Sequence, residues 1–388
     1  MVYRSFVLYD LFIIGGGING AGVARDAAGR GLKVLLIDKG NIGSATSSWS
    51  TKLIHGGLRY LENYEFKLVR NSLKEREVIF KIAKDIVRPI PFVIPHSKEI
   101  RPAWLVRFGL LIYDYLGGKT SFPKSSMINI QSTYPEILNN NFSKGFQYYD
   151  LQVDDKILTE LNIKNAKSNG ANIMENTNIN IVERYEDKWK IILDNGEEVI
   201  SKIIINASGP WINEVNKNIL NNNLFKKIRL VKGSHIILKK LYDYDVAFTL
   251  QNKDKRIVFV IPYKNKYTLI GTTEIEVKNP ENPSIEKNEI KYLIDCVNLY
   301  FKNKIDEKMI VSTYSGVRPL IEDFKRNLSN ISRDYMFDIE YNKNMACLVN
   351  IYGGKLTTYR KLSENIINDL KIFFPNINPA WTKNSRLK

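Results

Sequence analysis

Leu11-Phe12-Ile13-Ile14 is an unbroken apolar run, the pattern of a strand buried on both faces in a parallel sheet. It passes directly into Gly15-Gly16-Gly17, and no small-residue cleavage site precedes it, so Phe6 to Ile14 is expected to be a strand rather than a signal peptide. Small residues follow at Ala21, Gly22, Ala24, Ala27 and Ala28 and predict a closely packed helix, with Gly31 as its stop. Leu32 to Ile37 reads as a second strand ending in Asp38. Further along, Asp154 to Ser168 predicts a helix, and Ile203-Ile204-Ile205 predicts another buried strand. Arg256–Pro262 and Tyr267–Gly271 read as strands joined by a Lys-Asn turn. The stretch Trp104–Leu116 is strongly apolar with Arg101, Arg107 and Lys119 around it. It is too short to span a bilayer and fits either an interfacial helix or a buried core helix.

The 388 residues suggest two or three domains, at roughly 100–200 residues each. Hydrophobic residues at 44% and charged residues at 25% exclude wholesale disorder. Two cysteines, Cys296 and Cys347, exclude a disulfide scaffold and are expected as structural thiols in a reducing compartment. Three histidines, His55, His96 and His235, argue against a histidine-rich metal site, and none is expected. A net charge of +16 suits anionic partners: nucleic acid, anionic lipid or an anionic substrate. No RRM, zinc-finger or helix-turn-helix signature accompanies the charge, so nucleic acid is not expected.

The turn after the first strand contains G-x-G-x-x-G as Gly15, Gly17 and Gly20, with Ile18 and Asn19 opening the helix. The first glycine permits a tight turn, the second lets backbone approach a pyrophosphate, and the third lets helix and strand pack closely. Asp38 lies 18 positions beyond Gly20, where an acceptor for ribose hydroxyls belongs. This points to a dinucleotide without distinguishing NAD from FAD. Thr46, Ser47 and Ser48 then form a hydroxyl-rich loop suited to a phosphate or a ring edge, and Lys52, His55 and Gly57 crowd a tight Gly-Gly turn. Ala207 and Gly209 follow the Ile203–Ile205 strand. Gly353 and Gly354 open a helix through Lys355, Leu356, Thr357 and Thr358, whose N–H groups suit a flavin oxygen.

These segments in this order resemble the FAD-dependent, quinone-linked glycerol-3-phosphate dehydrogenases, from about Tyr9 to Lys388. The resemblance rests on IIGGGINGAG, ATSSWSTKLIHGGLRYLENYEF, RPAW, Val153–Asp155, NASGPW, KGSHI, Asn252–Pro262, IGTTE, YSGVRP and YGGKLTTYRKL. It implies an α/β (α+β) protein. A Rossmann-like FAD-binding domain of the D-amino-acid-oxidase and glutathione-reductase type would carry an inserted antiparallel-sheet substrate domain. The expected FAD domain is discontinuous, at 9–75, 145–215 and 341–375, with a substrate cap at 76–144 and 216–340. Residues 376–388 are expected to be the stub of a C-terminal helical domain that family members carry and this chain lacks, exposing an apolar face that favours a homodimer. Asp38 stands where Glu is more usual in the family.

The implied activity is oxidation of sn-glycerol 3-phosphate to dihydroxyacetone phosphate, with hydride passing to non-covalent FAD and electrons to a membrane quinone. The same scaffold allows a soluble oxidase that uses oxygen, or an inactive FAD-binding remnant. For phosphate the expected side chains are Arg59, Arg318 and Arg333, with Tyr60 adding a hydroxyl, because the guanidinium fork matches phosphate oxygens. His235 is expected as the base, with His55 as its rival and His96 structural. Lys355 is expected to stabilise negative charge on the reduced flavin or to contact substrate. Arg318 is expected to act both in catalysis and in substrate binding. The expected location is cytoplasmic, peripheral on the inner membrane, where the basic charge meets an anionic surface.

Overall fold

The computed structural model describes residues 7–96, 101–223, 225–321, 333–342 and 345–388. The first expected unit forms as a strand Leu8–Ile14, a helix Ile18–Gly29 and a strand Val34–Ile37. Leu11, Phe12 and Ile13 are fully buried because the strand is covered on both faces. The helix approaches its neighbours, the helices Asp155–Ser168 and Tyr359–Asp369, through its alanines and glycines. Gly20 has no alternative. A Cβ there would lie 1.9 Å from the Gly15 carbonyl oxygen.

These elements belong to an eight-stranded sheet. Leu8–Ile14 pairs in parallel with Val34–Ile37 on one side and Glu198–Asn206 on the other, and Glu198–Asn206 pairs in parallel with Met345–Gly353. The register aligns Ile14 with Ile37 and with Asn206, and Asn206 with Asn350. The carboxyl ends of the parallel strands therefore open onto one crevice, where open α/β sheets bind ligands.

The second sheet has ten strands and is mostly antiparallel. Ile228–Lys239 runs through it, paired with Tyr267–Gly271, Ile275–Val277 and Ile310–Ile321. The expected hairpin is present as Ile257–Tyr263 and Tyr267–Gly271, with Lys264 and Asn265 at positive φ in its turn.

Three boundaries differ from the sequence expectation. Lys144–Val153, expected almost wholly in the first unit, pairs along its length with Val87–Pro95 and so belongs to the second sheet, as does Leu53–Ile54. Tyr335–Asn342, expected mostly in the cap, pairs with Met345–Gly353 at the edge of the first sheet. Residues 376–388 pack against the first unit. Trp381 donates to the Asp26 carbonyl at 3.1 Å, Leu387 donates its N–H to the Ile82 carbonyl at 2.7 Å, and Leu387 is buried. This segment thereby contacts the helices Ile18–Gly29 and Phe66–Ile82.

The apolar stretch near residue 110 is the helix Ala103–Leu116, and it divides its faces. Val106, Leu110 and Tyr113 are buried, while Trp104, Leu105, Phe108, Leu111 and Tyr115 are exposed, Leu105 and Phe108 toward the cavity described below. Among the described residues no helix is long and apolar enough to cross a membrane.

Ion pairs inside the first unit tie helices together. Arg360 meets both oxygens of Glu75, at 2.7 and 2.6 Å, with both side chains almost fully enclosed. Removing Glu75 leaves Arg360 with Glu364 and Thr382 alone on its Nη1 side, and breaking such a buried pair costs up to about 3–5 kcal/mol. Glu75→Ala is therefore expected to lower unfolding free energy by about that amount in denaturant titration. A change under about 1 kcal/mol would show that solvent already screens the pair.

Candidate active site

Between the two sheets lies one cavity of about 1810 Å³. Single-ligand pockets typically measure about 300–1,000 Å³, so this one has room for a dinucleotide and a small substrate together. Its walls include the ends of the parallel strands and the inward face of the second sheet.

At one end the glycine turn is held open for a ligand. Gly15 has φ of +105°, and a Cβ on it would meet the Ala207 carbonyl oxygen at 2.7 Å. Asp38 accepts from the Gly16 N–H at 2.6 Å and the Gly40 N–H at 2.8 Å. Burial raises its carboxyl above the usual range while these N–H groups oppose the shift. Each carboxylate oxygen can accept again, so hydroxyls in the cavity remain within its capacity. Ser47 Oγ accepts from the Ile18 N–H at 2.8 Å, which fixes the hydroxyl loop against the helix start. Asn19 donates to the Gly353 carbonyl at 3.1 Å, and its Oδ1 is buried without a protein partner. A strained glycine cradle and an orphaned polar atom fit a bound dinucleotide.

Gly15, Gly17, Ile18, Asn19, Asp38, Thr46, Ser47, His55, Gly57, Ala207, Gly209, Gly354, Lys355, Leu356 and Thr357 all line this cavity. Four residues expected at the cofactor do not. Gly20 serves the turn from behind. Ser48 donates to the Gly43 carbonyl, and Thr358 is buried at the start of the last long helix. Lys52 is turned away, with its Nζ 2.5 Å from Asp155 Oδ1 and 3.1 Å from the Ser48 carbonyl. A lysine amine deprived of water stays where a carboxylate compensates it.

Toward the second sheet the cavity becomes strongly cationic. Arg333 pairs with Glu274 at 2.6 Å, and Arg59 lies 3.6 Å from the same carboxylate. Arg318 donates to Thr272 Oγ1 at 3.3 Å, and its Nη1 is buried without a hydrogen bond among the described residues. Burial works to raise the Glu274 carboxyl, but Arg333, Arg59 and Arg318 outweigh it and hold it low. Three guanidinium groups thus gather at one carboxylate on the cavity wall. Lys355 sits 3.9 Å over the Tyr60 ring, and its Nζ lacks a hydrogen-bond partner among the described residues. Burial pushes its ammonium down to about 7, with Asp334 and Glu65 opposing and Arg333 reinforcing the shift.

The histidines separate clearly. His55 opens onto the cavity, anchored by its N–H to Thr357 Oγ1 at 3.1 Å. Burial, with Lys355 and Arg76 nearby, lowers its imidazole to about 3, so it is neutral. His235, expected as the base, is fully buried and lies behind Thr51 rather than on the cavity wall. The strand that carries it turns the ring into the protein interior. His96 is remote from the cluster, bonded to the Arg101 carbonyl at 3.1 Å. Sequence reasoning gave no role to Thr51, Thr272 or Glu274. The last two stand in the IGTTE segment, where a lone acid among hydroxyls between apolar strands was the available signal.

The family profile described as FAD dependent oxidoreductase matches residues 10–359. The chain is 45% identical to D-erythritol 1-phosphate dehydrogenase of Brucella abortus, over 97% of this chain and 76% of the relative. It is 43% identical to the aerobic glycerol-3-phosphate dehydrogenase of Escherichia coli, again over 97% and 76%. The structure superposes on the glycerol-3-phosphate dehydrogenase of Bacillus halodurans complexed with FAD. The TM-score is 0.76 at 25% identity, covering 98% of this chain and 68% of that one.

Lys355 makes the site's anion affinity depend on pH. The groups facing it are Tyr60, His55, Asp334, Glu65 and Arg333. Below about 7 it is cationic, and above that it is neutral. Sulfate, whose charge is constant across this range, is expected to bind the FAD-loaded protein more weakly as pH rises through 7. Lys355→Met should flatten that profile. An unchanged profile in the variant would remove Lys355 from the anion site.

Proposed function

The chain belongs to the FAD-dependent oxidoreductase family, in the group of glycerol-3-phosphate and erythritol 1-phosphate dehydrogenases, and from that premise we propose that it oxidises sn-glycerol 3-phosphate to dihydroxyacetone phosphate. FAD is its cofactor. The observation that carries the substrate reading is the gathering of Arg59, Arg318 and Arg333 on one cavity wall, with Arg318 Nη1 buried without a hydrogen bond among the described residues. It matches a phosphate ester dianion, and it lies in the same cavity as the dinucleotide turn.

Bound FAD supplies the two-electron oxidant that accepts hydride from the alcohol carbon. The protein supplies the rest. Arg318, with its Nη1 unpaired among the described residues, and the Arg59–Glu274–Arg333 group hold the phosphate through charge-assisted hydrogen bonds. His55 takes the proton of the reacting hydroxyl, since it is the neutral imidazole that reaches the cavity. Lys355 provides a cation beside Tyr60 for negative charge that builds up nearby.

Electrons pass next to a membrane quinone in this reading. The exposed aromatics of the Ala103–Leu116 helix support it: Trp104, Phe108 and Tyr115 stand beside a cavity wall that includes Leu105, Val106 and Ile112. Such a face lies naturally at a headgroup boundary, and the +16 charge favours an anionic leaflet on the cytoplasmic side. A four-carbon polyol phosphate is the competing substrate, on the strength of the Brucella relative.

Arg318→Ala is expected to weaken glycerol 3-phosphate about ten- to a hundred-fold relative to unphosphorylated glycerol, from the loss of one hydrogen bond to a charged group. His55→Ala should slow flavin reduction by roughly 10²–10⁴-fold while FAD stays bound. Steady-state kinetics and anaerobic mixing measure both. Equal losses for the two substrates would move Arg318 out of the phosphate site.

A further inference from the structure

His235 makes one hydrogen bond among the described residues. Its Nε2 lies 3.0 Å from Thr51 Oγ1. Its Nδ1 is buried without a partner. The ring stacks on Tyr314, with centroids 4.6 Å apart and planes 19° apart. Gly271 on the paired strand leaves it room, since a Cβ there would stand 2.1 Å from His235 Cδ2. Burial is complete, and Arg318 and Lys52 lie nearby, so the imidazole stays neutral and carries a single N–H.

Two tautomers are available. With the proton on Nδ1, a buried donor has no acceptor. With the proton on Nε2, the N–H goes to Thr51 and only an acceptor is left unpaired. Orphaned buried N–H groups are the rarer case, so Nε2 carries the proton. Thr51 Oγ1 then accepts from His235, and its own hydrogen cannot point back at the ring. Thr51 lines the cavity. Its backbone is held on both sides. Tyr314 donates to the Ser50 carbonyl at 2.7 Å, the Ser50 hydroxyl donates to Asp155 at 2.6 Å, and Lys52 pairs with the same carboxylate.

We propose that His235 is a positioning residue, which fixes the Thr51 hydroxyl as a hydrogen-bond donor directed into the cavity, toward an acceptor atom of the bound flavin ring. It does not take the substrate proton. The rate arm of the test rests on the oxidation reading above; the spectral arm rests only on FAD binding.

The test uses FAD-loaded protein with four variants: Thr51→Val, His235→Leu, the double variant, and His235→Gln, whose amide can place an N–H near the Nε2 position. Two readouts are the visible flavin spectrum and the rate of anaerobic reduction by glycerol 3-phosphate. Thr51→Val and His235→Leu are expected to shift the spectrum in the same direction and to slow reduction by a similar factor. Loss of one neutral hydrogen bond corresponds to roughly three- to ten-fold. The double variant should add nothing, and His235→Gln should restore both readouts toward wild type. His235→Gln as impaired as His235→Leu would overturn the proposal, and so would Thr51→Val with an unchanged spectrum. If His235→Leu does not fold, Thr51→Val and His235→Gln decide. If glycerol 3-phosphate fails to reduce even the wild type, the substrate reading falls and the spectra still judge the positioning role.

Discussion

Three guanidinium groups gathered around one carboxylate set the conditions that the rest of the structure meets. Arg318 is half-buried on the cavity wall, and its desolvation there, with Arg333 and Arg59 nearby, lowers its pKa. Such a charge is expensive to keep without an anion. Arg59 comes from the Gly56-Gly57 turn, Arg318 from the edge strand Ile310–Ile321, and Arg333 from the segment returning to the first sheet. The cluster exists only where both sheets meet. A guanidinium-lined wall of this kind suits a phosphate ester, which is why the substrate and the fold are one problem here.

Buried networks hold that meeting point in place. Asp150 accepts from Tyr113 and from Arg76, each at 2.8 Å, and Tyr113 in turn accepts the Gly56 N–H at 2.8 Å. The turn that delivers His55 and Arg59 is thereby tied to the Ala103–Leu116 helix and to the second sheet. On the other side Asp155 binds Ser50 and Lys52 and fixes Thr51 between them. Buried polar groups paired in this way fix one geometry more sharply than apolar packing does. The residues lost from the expected cofactor list, Ser48 and Lys52, serve that support instead.

Local structure was legible where chemistry is local. The apolar run at Leu11–Ile14, the glycine turn and the alanine-rich helix each carry their own reason in consecutive residues. The Ile257–Tyr263 and Tyr267–Gly271 hairpin does too. What depends on distant partners was not legible. Lys144–Val153 alternates like any half-buried strand, and nothing within it says that Val87–Pro95 will be its neighbour. His235 has the same chemistry as His55, and only the strand's direction in the second sheet turns it inward behind Thr51. Nothing within the final segment announces that Trp381 and Leu387 will each find a partner on a helix far away in sequence. Glu274 was overlooked because a single acid becomes informative only when three arginines surround it.

The cavity joins a glycine cradle shaped for FAD to a cationic pole shaped for a phosphate, with a neutral histidine open to the same space. The most direct measurement is anaerobic addition of glycerol 3-phosphate to the FAD-loaded protein, followed by the loss of visible flavin absorbance and compared with glycerol and with erythritol 1-phosphate. The account predicts rapid bleaching by a phosphorylated polyol at concentrations where glycerol has no effect. A flavin that no phosphorylated polyol bleaches, or that glycerol bleaches equally well, would contradict it.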